Sequence, residues 1–456
     1  MPASVTALAQ VNDLAKDYFT NVYLSTINTA TPLKDQFASL QGATFAGRKW
    51  IFGLKHSVGG GSGNSSASAT AGVGAVVPQA TQGIYTHGEA TLVRTYTRIG
   101  IDNFLVEITK ENIGAFRPAL AEVMSDRLAA HDLEVNRQLF CGSTGMLAVN
   151  TTGGTSAGPF NVTMDYGAFN GGASGVGGAR HINVGDVLNS YTNTGGITFA
   201  SPPVIGVLTA GSAGTVSAVD QVNNTVTFSG SVATGAANGI FVRAINTVSG
   251  TTTADTDNKV SGEASGLLAS VADGTSGPAT FEAIVVANFP RWKSFRSNNS
   301  GTLRDLTDSL VMQAIETAHA RSRKLPNLAI CRPGVVLKYS ETFLPLRRIQ
   351  GQDIQLKGGY IPVAALQHAG GIIPVLSDWD CPDSRLFLIN TDAFRMADLL
   401  GTQWFDGDGA IFSRIPDKDG VEGLLRKYWQ LITLQRNCNA VIEDLNDISS
   451  IDRTAQ

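Results

Sequence analysis

Two runs in which apolar and polar residues alternate are separated by a tract that favours neither helix nor strand. The first, Arg48–Leu54 (RKWIFGL), puts Trp50, Phe52 and Leu54 on one face; the second, Glu89–Ile101 (EATLVRTYTRIGI), is rich in Thr, Val, Tyr and Ile. A period of two with β-branched and aromatic residues reads as strand. Between them, SVGGGSGNSSASATAGVGAVV reads as a flexible tip. The pair therefore predicts a long hairpin. Strands of about nine residues reach roughly 30 Å, and a two-stranded hairpin alone is marginal in water. It is expected to rest on another molecule. Glycine amides at the tip could cradle a phosphate, but the GK[ST] ending is missing and no lysine occurs between Lys55 and Lys110.

Between Phe116 and Cys141 the period changes. Leu120, Met124, Leu128, Val135 and Leu139 recur at three-to-four and seven-residue steps, the spacing of one helix face. Pro118 suits a first turn and Gly142 a stop. At about 1.5 Å per residue the rod would run roughly 39 Å. Arg127, Asp132, Glu134 and Arg137 are expected to keep its other side wet, and its apolar side to pack on the closing strand of its own chain.

Before the hairpin, residues 5–25 carry Val5, Leu8, Val11, Leu14, Tyr18 and Val22 at helical spacing. They read as an arm too short to bury its own apolar side. After the helix, from Ser143 to Pro278, Gly, Thr, Ser, Val and Ala dominate, and the basic residues are Arg180, Arg243 and Lys259. Alternating runs at Ile182–Leu188, Pro203–Leu208, Thr215–Val222, Thr225–Phe228 and Ile240–Ala244 predict an inserted all-β domain, a small barrel or sandwich. Asn223-Asn224 marks a hairpin turn, because Asn tolerates positive φ. The alternative is a low-complexity linker with no fold. Beyond Thr280, FEAIVVANF, LAICR, GVVLKYS, GGIIPVLSDW and RLFLINTDAF read as strands and Leu303–Lys324 as a helix capped by Thr302 and Asp305. EGLLRKYWQLITLQRNCNAVIEDL, alternating around Trp429, Leu431 and Thr433, reads as one long returning strand.

Composition narrows the function. Among 456 residues only 16% are charged while 43% are hydrophobic, which points to surface that faces protein rather than water. A net charge of -4 argues against gripping nucleic-acid phosphates as the main task. Cys141, Cys331, Cys381 and Cys438 stand far apart, without zinc spacing, and are expected reduced and buried in an intracellular chain. No signal peptide is read at the N-terminus and no run of about twenty apolar residues that would span a membrane. The six histidines are scattered, without HxH or HExxH, and no GxSxG elbow is present. Asp378, Asp380 and Asp383 in SDWDCPD, and Asp406 and Asp408 in FDGDGA, are incomplete as calcium loops and read as turns bonding their own backbone. No catalytic, cofactor or metal residue is expected, and the protein is not read as an enzyme.

The order of arm, long hairpin, long helix, β insertion, mixed α/β part and closing strand resembles a tailed-bacteriophage major capsid protein, whose fold encapsulins share. The likeness is carried by RKWIFGLKHS with ATLVRTYTRIGI, the helix to CGSTG, IIPVLSDWDCPDSRLFLINTDAF and LLRKYWQLITLQRNCNAVIEDL, over about residues 1–145 and 280–450. It implies an α+β fold with an N-terminal arm (1–46), an extended loop (47–108) and a peripheral domain with its spine helix (109–145). An inserted all-β domain (146–279), a peripheral return strand (280–300), an axial α/β domain (301–420) and a closing segment (421–456) complete it.

The same resemblance implies self-assembly into hexamers and pentamers of an icosahedral head enclosing DNA held non-specifically. A separate scaffolding protein, a portal and a decoration protein are the implied partners, with assembly in the host cytoplasm and a place in the virion. The loop-lysine crosslink of some members is not expected, because Ser57–Glu89 holds no lysine. Trp50, Phe52, Arg94, Tyr96 and Arg98 are the expected inter-subunit contacts, buried or paired on a neighbour. An encapsulin-like cargo shell and a β-rich surface protein that binds carbohydrate remain the alternative readings.

Overall fold

The computed structural model describes residues 30–38, 49–64, 78–109, 119–142, 145–150, 154–165, 179–193, 205–209, 214–220, 224–233, 239–243, 263–274, 279–300, 302–342, 365–368, 371–406, 409–416 and 418–447. Most of the expected arm, the centre of the hairpin tip, Pro118, Asn223 and Asp408 lie outside them. The described residues fall into two compact units. One draws on Tyr96–Leu133 and Thr402–Arg426, the other on Thr31–Thr95, Glu134–Gly401 and Lys427–Gln456.

The larger unit is built on a six-stranded mixed sheet. Its order is Phe295–Ser297, Ala440–Ile442, Leu386–Ile389, Leu328–Cys331, Gly371–Ser377, Ala365–His368. Side chains alternate across a strand, so each strand feeds two cores. Leu328, Ile330, Phe387, Ile389 and Val441 face one cluster; Ala329, Cys331, Leu386, Leu388, Ala440 and Ile442 face the other. Helices Asp308–Ser322 and Pro333–Thr342 cover the second cluster through Val311, Ala314, Ile315, Ala318, Val335 and Tyr339. The first cluster takes Val135, Leu139 and Phe140 from the long helix and Trp429 and Leu431 from the closing strand, so the two elements meet at the helix end only; Leu120 and Met124 lie outside the cluster and Leu128 is exposed. Leu33 and Phe37, one helical turn apart on Pro32–Ala38, complete it. This part of the N-terminal stretch thus lies on its own chain.

Several sequence expectations are corrected. GVVLKYS is helical, within Pro333–Thr342: Pro333 is pre-organised for a first turn, and the i,i+4 pair Val335 and Tyr339 gains a core. FEAIVV is a tight hairpin, Thr280–Phe281 with Ile284–Val285, followed by two 3-10 turns. The helix read over Leu303–Lys324 begins at Asp308, where Thr307 rather than Thr302 or Asp305 accepts the capping N–H of Leu310. The returning strand is two: Gly420–Thr433 ends in a 3-10 turn, and Ala440–Ile442 enters the six-stranded sheet. The run Glu89–Ile101 also divides. Ile84–Thr91 pairs with Lys49–Ser57, whereas Val93–Asp102 pairs with the closing strand.

The described residues of the insertion are folded, against the linker alternative. Six antiparallel strands close a ring in the order Gly239–Arg243, Met146–Asn150, Phe160–Asp165, Thr225–Phe228, Gly214–Asp220, Val187–Asn193 and back to the first, with Ile205–Leu208 beside Val187–Asn193. Closure leaves the ring no edges. Phe160, Phe228 and Phe241 meet edge to face inside at 5.7–6.3 Å. Asn224 adopts φ 51° in the turn before Thr225, as its residue type suggested.

The long helix, Ala119–Phe140, ends where the chain returns from the barrel. Gly266 donates its N–H to the Cys141 carbonyl at 3.1 Å, the Cys141 thiol donates to the Ala264 carbonyl at 3.2 Å, and Gly142 bridges Ser265. A Cβ on Gly266 would lie 2.5–2.6 Å from Gln138 O, Leu139 O and Cys141 N, all backbone atoms of the helix end. Gly266→Ala is therefore expected to cost about 3 kcal/mol in urea denaturation. Gly142→Ala, with nothing within 4 Å of its Cβ, is the near-neutral control.

Candidate subunit-contact surface

The hairpin has two unlike faces. Trp50, Phe52, Leu54 and His56 point one way, and Phe52 is buried against Ala90, Ala397 and Ile432. The ring of Phe52 covers Gly88, where a Cβ would meet it at 2.6 Å. Farther along, Leu54 packs on the Trp292 cluster and His56 stacks on Phe289 at 4.0 Å, with burial pushing the imidazole pKa down. The opposite face is open: Ile51 is 62% and Tyr85 69% exposed. Lys55 sits over the Tyr85 ring at 5.7 Å, and Lys49 pairs with Glu89. That hydrogen bond and charge lower the Glu89 pKa. The result is an apolar stripe with charges of both signs along it.

The five expected contact residues separate accordingly. Phe52 is spent on its own chain, which leaves it no surface for a neighbour, and half-buried Trp50 borders the same cluster. The hydrophobic alternation was legible, but the partner it selects is intramolecular. Arg94, Tyr96 and Arg98 occupy the exposed face of Val93–Asp102, while Thr95, Ile99 and Ile101 are buried. Thr95 Oγ1 accepts the indole N–H of Trp429 at 3.0 Å, and Arg98 pairs with Glu422.

In the smaller unit, Thr97 Oγ1 lies 2.9 Å from His131 Nδ1, and Asn103 donates to Asp419 at 2.9 Å. The short helix Asn103–Thr109 exposes Phe104 (68%) and Leu105 (46%). Those two were not singled out from sequence, since nothing in FLV says which side will face solvent.

Sequence reading also missed a buried ionic junction where the barrel meets the helix end. Arg137, expected on a wet face, is buried, and Glu134 beside it is partly so. Arg137 pairs with Glu134 at 2.6 Å and with Glu263; Arg243 of the barrel pairs with Glu134 at 2.6 Å and Asp186 at 3.4 Å. Burial alone would raise the Glu134 pKa, yet Arg137 and Arg243 outweigh it and hold the carboxyl well below the usual range. Beside it, Asp378 accepts from Leu33 N (3.2 Å), Asn136 Nδ2 (3.2 Å) and Asp380 N (2.9 Å). Asp383 accepts from Arg180 at 3.1 Å and from Arg332. The SDWDCPD turn thus bonds its own backbone, as read, and also ties Pro32–Ala38, the helix and the barrel together. Among the described residues no group of His, Cys, Asp and Glu side chains has a metal-holding arrangement.

No family model matches the sequence, and no curated protein does. Among solved structures, the chain is similar to one in the capsid asymmetric unit of cyanophage A-1(L), at 13% identity over 96% of this chain and 99% of that one, with a TM-score of 0.54. The chain has the phage capsid fold. A chain of Mycobacterium phage Bobi (9% identity, 97% and 99% covered, TM-score 0.47) and the holo-SrpI encapsulin complex of Synechococcus elongatus PCC 7942 (9%, 97% and 97%, TM-score 0.41) also align, at scores too low to add to this.

Glu134→Gln leaves Arg137 and Arg243 undercompensated and is expected to cost about 3 kcal/mol. Because the wild-type carboxyl is depressed, its contribution is complete above the ordinary carboxylate pKa and is lost progressively as pH falls from there towards the depressed value. The stability difference in urea should therefore stay level from about pH 5 upward and shrink below.

Proposed function

We propose that the chain is a major capsid protein that assembles with copies of itself, as hexamers and pentamers, into the icosahedral head of a phage that encloses its DNA genome. The observation that carries this is the likeness to a cyanophage capsid chain over nearly the whole of both chains. In this reading the hairpin is the extended loop, Ala119–Phe140 the spine of the peripheral domain, and the six-stranded sheet with its two helices the axial domain. The barrel is an addition to the shell. The role is structural rather than catalytic, and its site is the virion.

The chain's surfaces suit that role. The outer hairpin face, the stripe of Arg94, Tyr96 and Arg98, and the pair Phe104 and Leu105 expose apolar and charged groups together. Identical copies satisfy such surfaces best through closed symmetry, and each contact can be weak because every subunit makes many. Of the five sequence candidates, Arg94, Tyr96 and Arg98 are kept; Ile51 and Tyr85 replace Trp50 and Phe52, which lie on the inner face. A separate scaffolding protein, a portal and a decoration protein are the further partners of this reading. In this reading packaged DNA is held only non-specifically, and the net charge of -4 argues against a surface built to grip its phosphates.

Electron microscopy of the purified protein, alone and with its scaffold, should show closed shells. A monomer at every concentration would sink the reading, and shells filled with cargo enzyme instead of DNA would turn it into a cargo compartment. Tyr85→Asp and Ile51→Asp should leave the circular dichroism spectrum unchanged. They should raise the concentration needed for shells about tenfold per contact, equivalent to about 1.4 kcal/mol; unchanged assembly would remove the outer hairpin face from the interface.

A further inference from the structure

The turn Glu282–Ala283, between Thr280–Phe281 and Ile284–Val285, is unusual in both conformation and polarity. Both residues have positive φ, 49° and 64°. Two-residue hairpin turns of that kind favour Asn-Gly. A Glu and an Ala there are strained, by roughly 1 kcal/mol each. The turn is held by bonds to two distant elements. The Glu282 carbonyl accepts the N–H of Glu89 in the hairpin at 2.8 Å, and its carboxylate Oε1 accepts the N–H of Thr433 at the end of the closing strand, also at 2.8 Å. Its other oxygen, Oε2, is buried with no hydrogen-bond partner among the described residues.

We propose that Glu282 is a proton-operated latch that ties the base of the hairpin to the closing strand and loosens when its carboxyl ionises. Of the charged groups around it, Arg436 is the one that acts on it directly. Arg436 is held between the rings of Phe281 and Trp292, at 4.5 and 4.9 Å, but its Nε and Nη2 donate to the carbonyls of Ser270, Ala269 and Ala272. Asp273 acts on Arg436 and draws on the same positive charge. Glu89 turns its own carboxylate to the outer hairpin face, towards Lys49 and His87.

Ionised, Glu282 would be a buried carboxylate with one backbone donor, beside a cation whose Nε and Nη2 are engaged elsewhere and whose buried Nη1 alone has no hydrogen-bond partner among the described residues. Burial outweighs the Thr433 N–H and Arg436 and pushes the carboxyl up to about 8. The folded chain therefore keeps a proton that the unfolded chain releases from the ordinary carboxyl value of 4.5 upward. Stability falls as pH rises from that value to the folded pKa and is level beyond it. The hairpin is the part that can yield, because its outer face is open.

Amide hydrogen exchange of the full-length chain, corrected for intrinsic rates, reads the latch at Glu89 N–H and Thr433 N–H. In the wild type their protection should drop about tenfold or more between pH 6 and pH 9. In Glu282→Gln, which keeps an oxygen for Thr433 and cannot ionise, it should stay level. An equal fall in both chains, or no fall in the wild type, overturns the proposal. A second measurement needs no variant: the carboxyl carbon resonance of Glu282 should titrate with a midpoint above pH 7, and a midpoint below pH 7 overturns it. Neither readout depends on shell formation, so the latch and the capsid reading fail separately.

Discussion

A chain can carry an inserted domain only if the points of exit and return are held together, and here they meet at the end of the long helix. Gly142 bridges Ser265, Gly266 caps the Cys141 carbonyl, and the Cys141 thiol reaches Ala264 O. Loop-closure entropy grows only slowly with length, so once the ends are pinned the size of the insertion matters little to the core beneath it. The pinning itself is demanding. It requires a residue without a Cβ at position 266, because helix backbone occupies the space a side chain would need.

The same helix end shows why burial of charge and burial of apolar surface cannot be separated here. Val135, Leu139 and Phe140 enter the main cluster while Asn136, Arg137 and Gln138, between them, are buried too. A helix end enclosed in this way must satisfy its polar side chains inside. It does so with partners from the barrel, from Glu263 where the chain returns from the barrel, and from the SDWDCPD turn. Such a network contributes little if replaced whole and costs several kcal/mol if half removed. It therefore fixes the placement of the barrel on the helix more than it adds to stability.

These features mark the limits of what the sequence discloses. Local period and turn chemistry were readable: the 50, 52, 54 face of the hairpin, Asn224 in its turn, the helix of Ala119–Phe140, and the all-β character of the insertion. Partnership was not. Glu134 and Arg137 look like solvated charges because Arg243 and Glu263, which enclose them, lie more than a hundred positions away, as their pairing shows. Phe52 looks like an anchor for a neighbour because nothing local indicates Ala397 and Ile432. Val335 and Val336 favour a strand by composition, yet Pro333 and the i,i+4 pair of Val335 with Tyr339 decide for helix. In each miss, a contact between distant segments overrode a local preference.

The inner and outer faces of the hairpin carry a consequence for the proposed shell. A two-stranded hairpin that met only its neighbour would be ordered at the moment of assembly, and the conformational entropy would be charged against each contact. Here the Phe52 face is already docked on Ala397 and Ile432, the Glu89 amide is held by Glu282, and His56 is stacked on Phe289. Most of the ordering is done within the subunit, so Ile51 and Tyr85 present a preformed face. A weak interface on a preformed face can be repeated many times in a closed particle and still correct its errors, which a strong interface on an ordering loop could not.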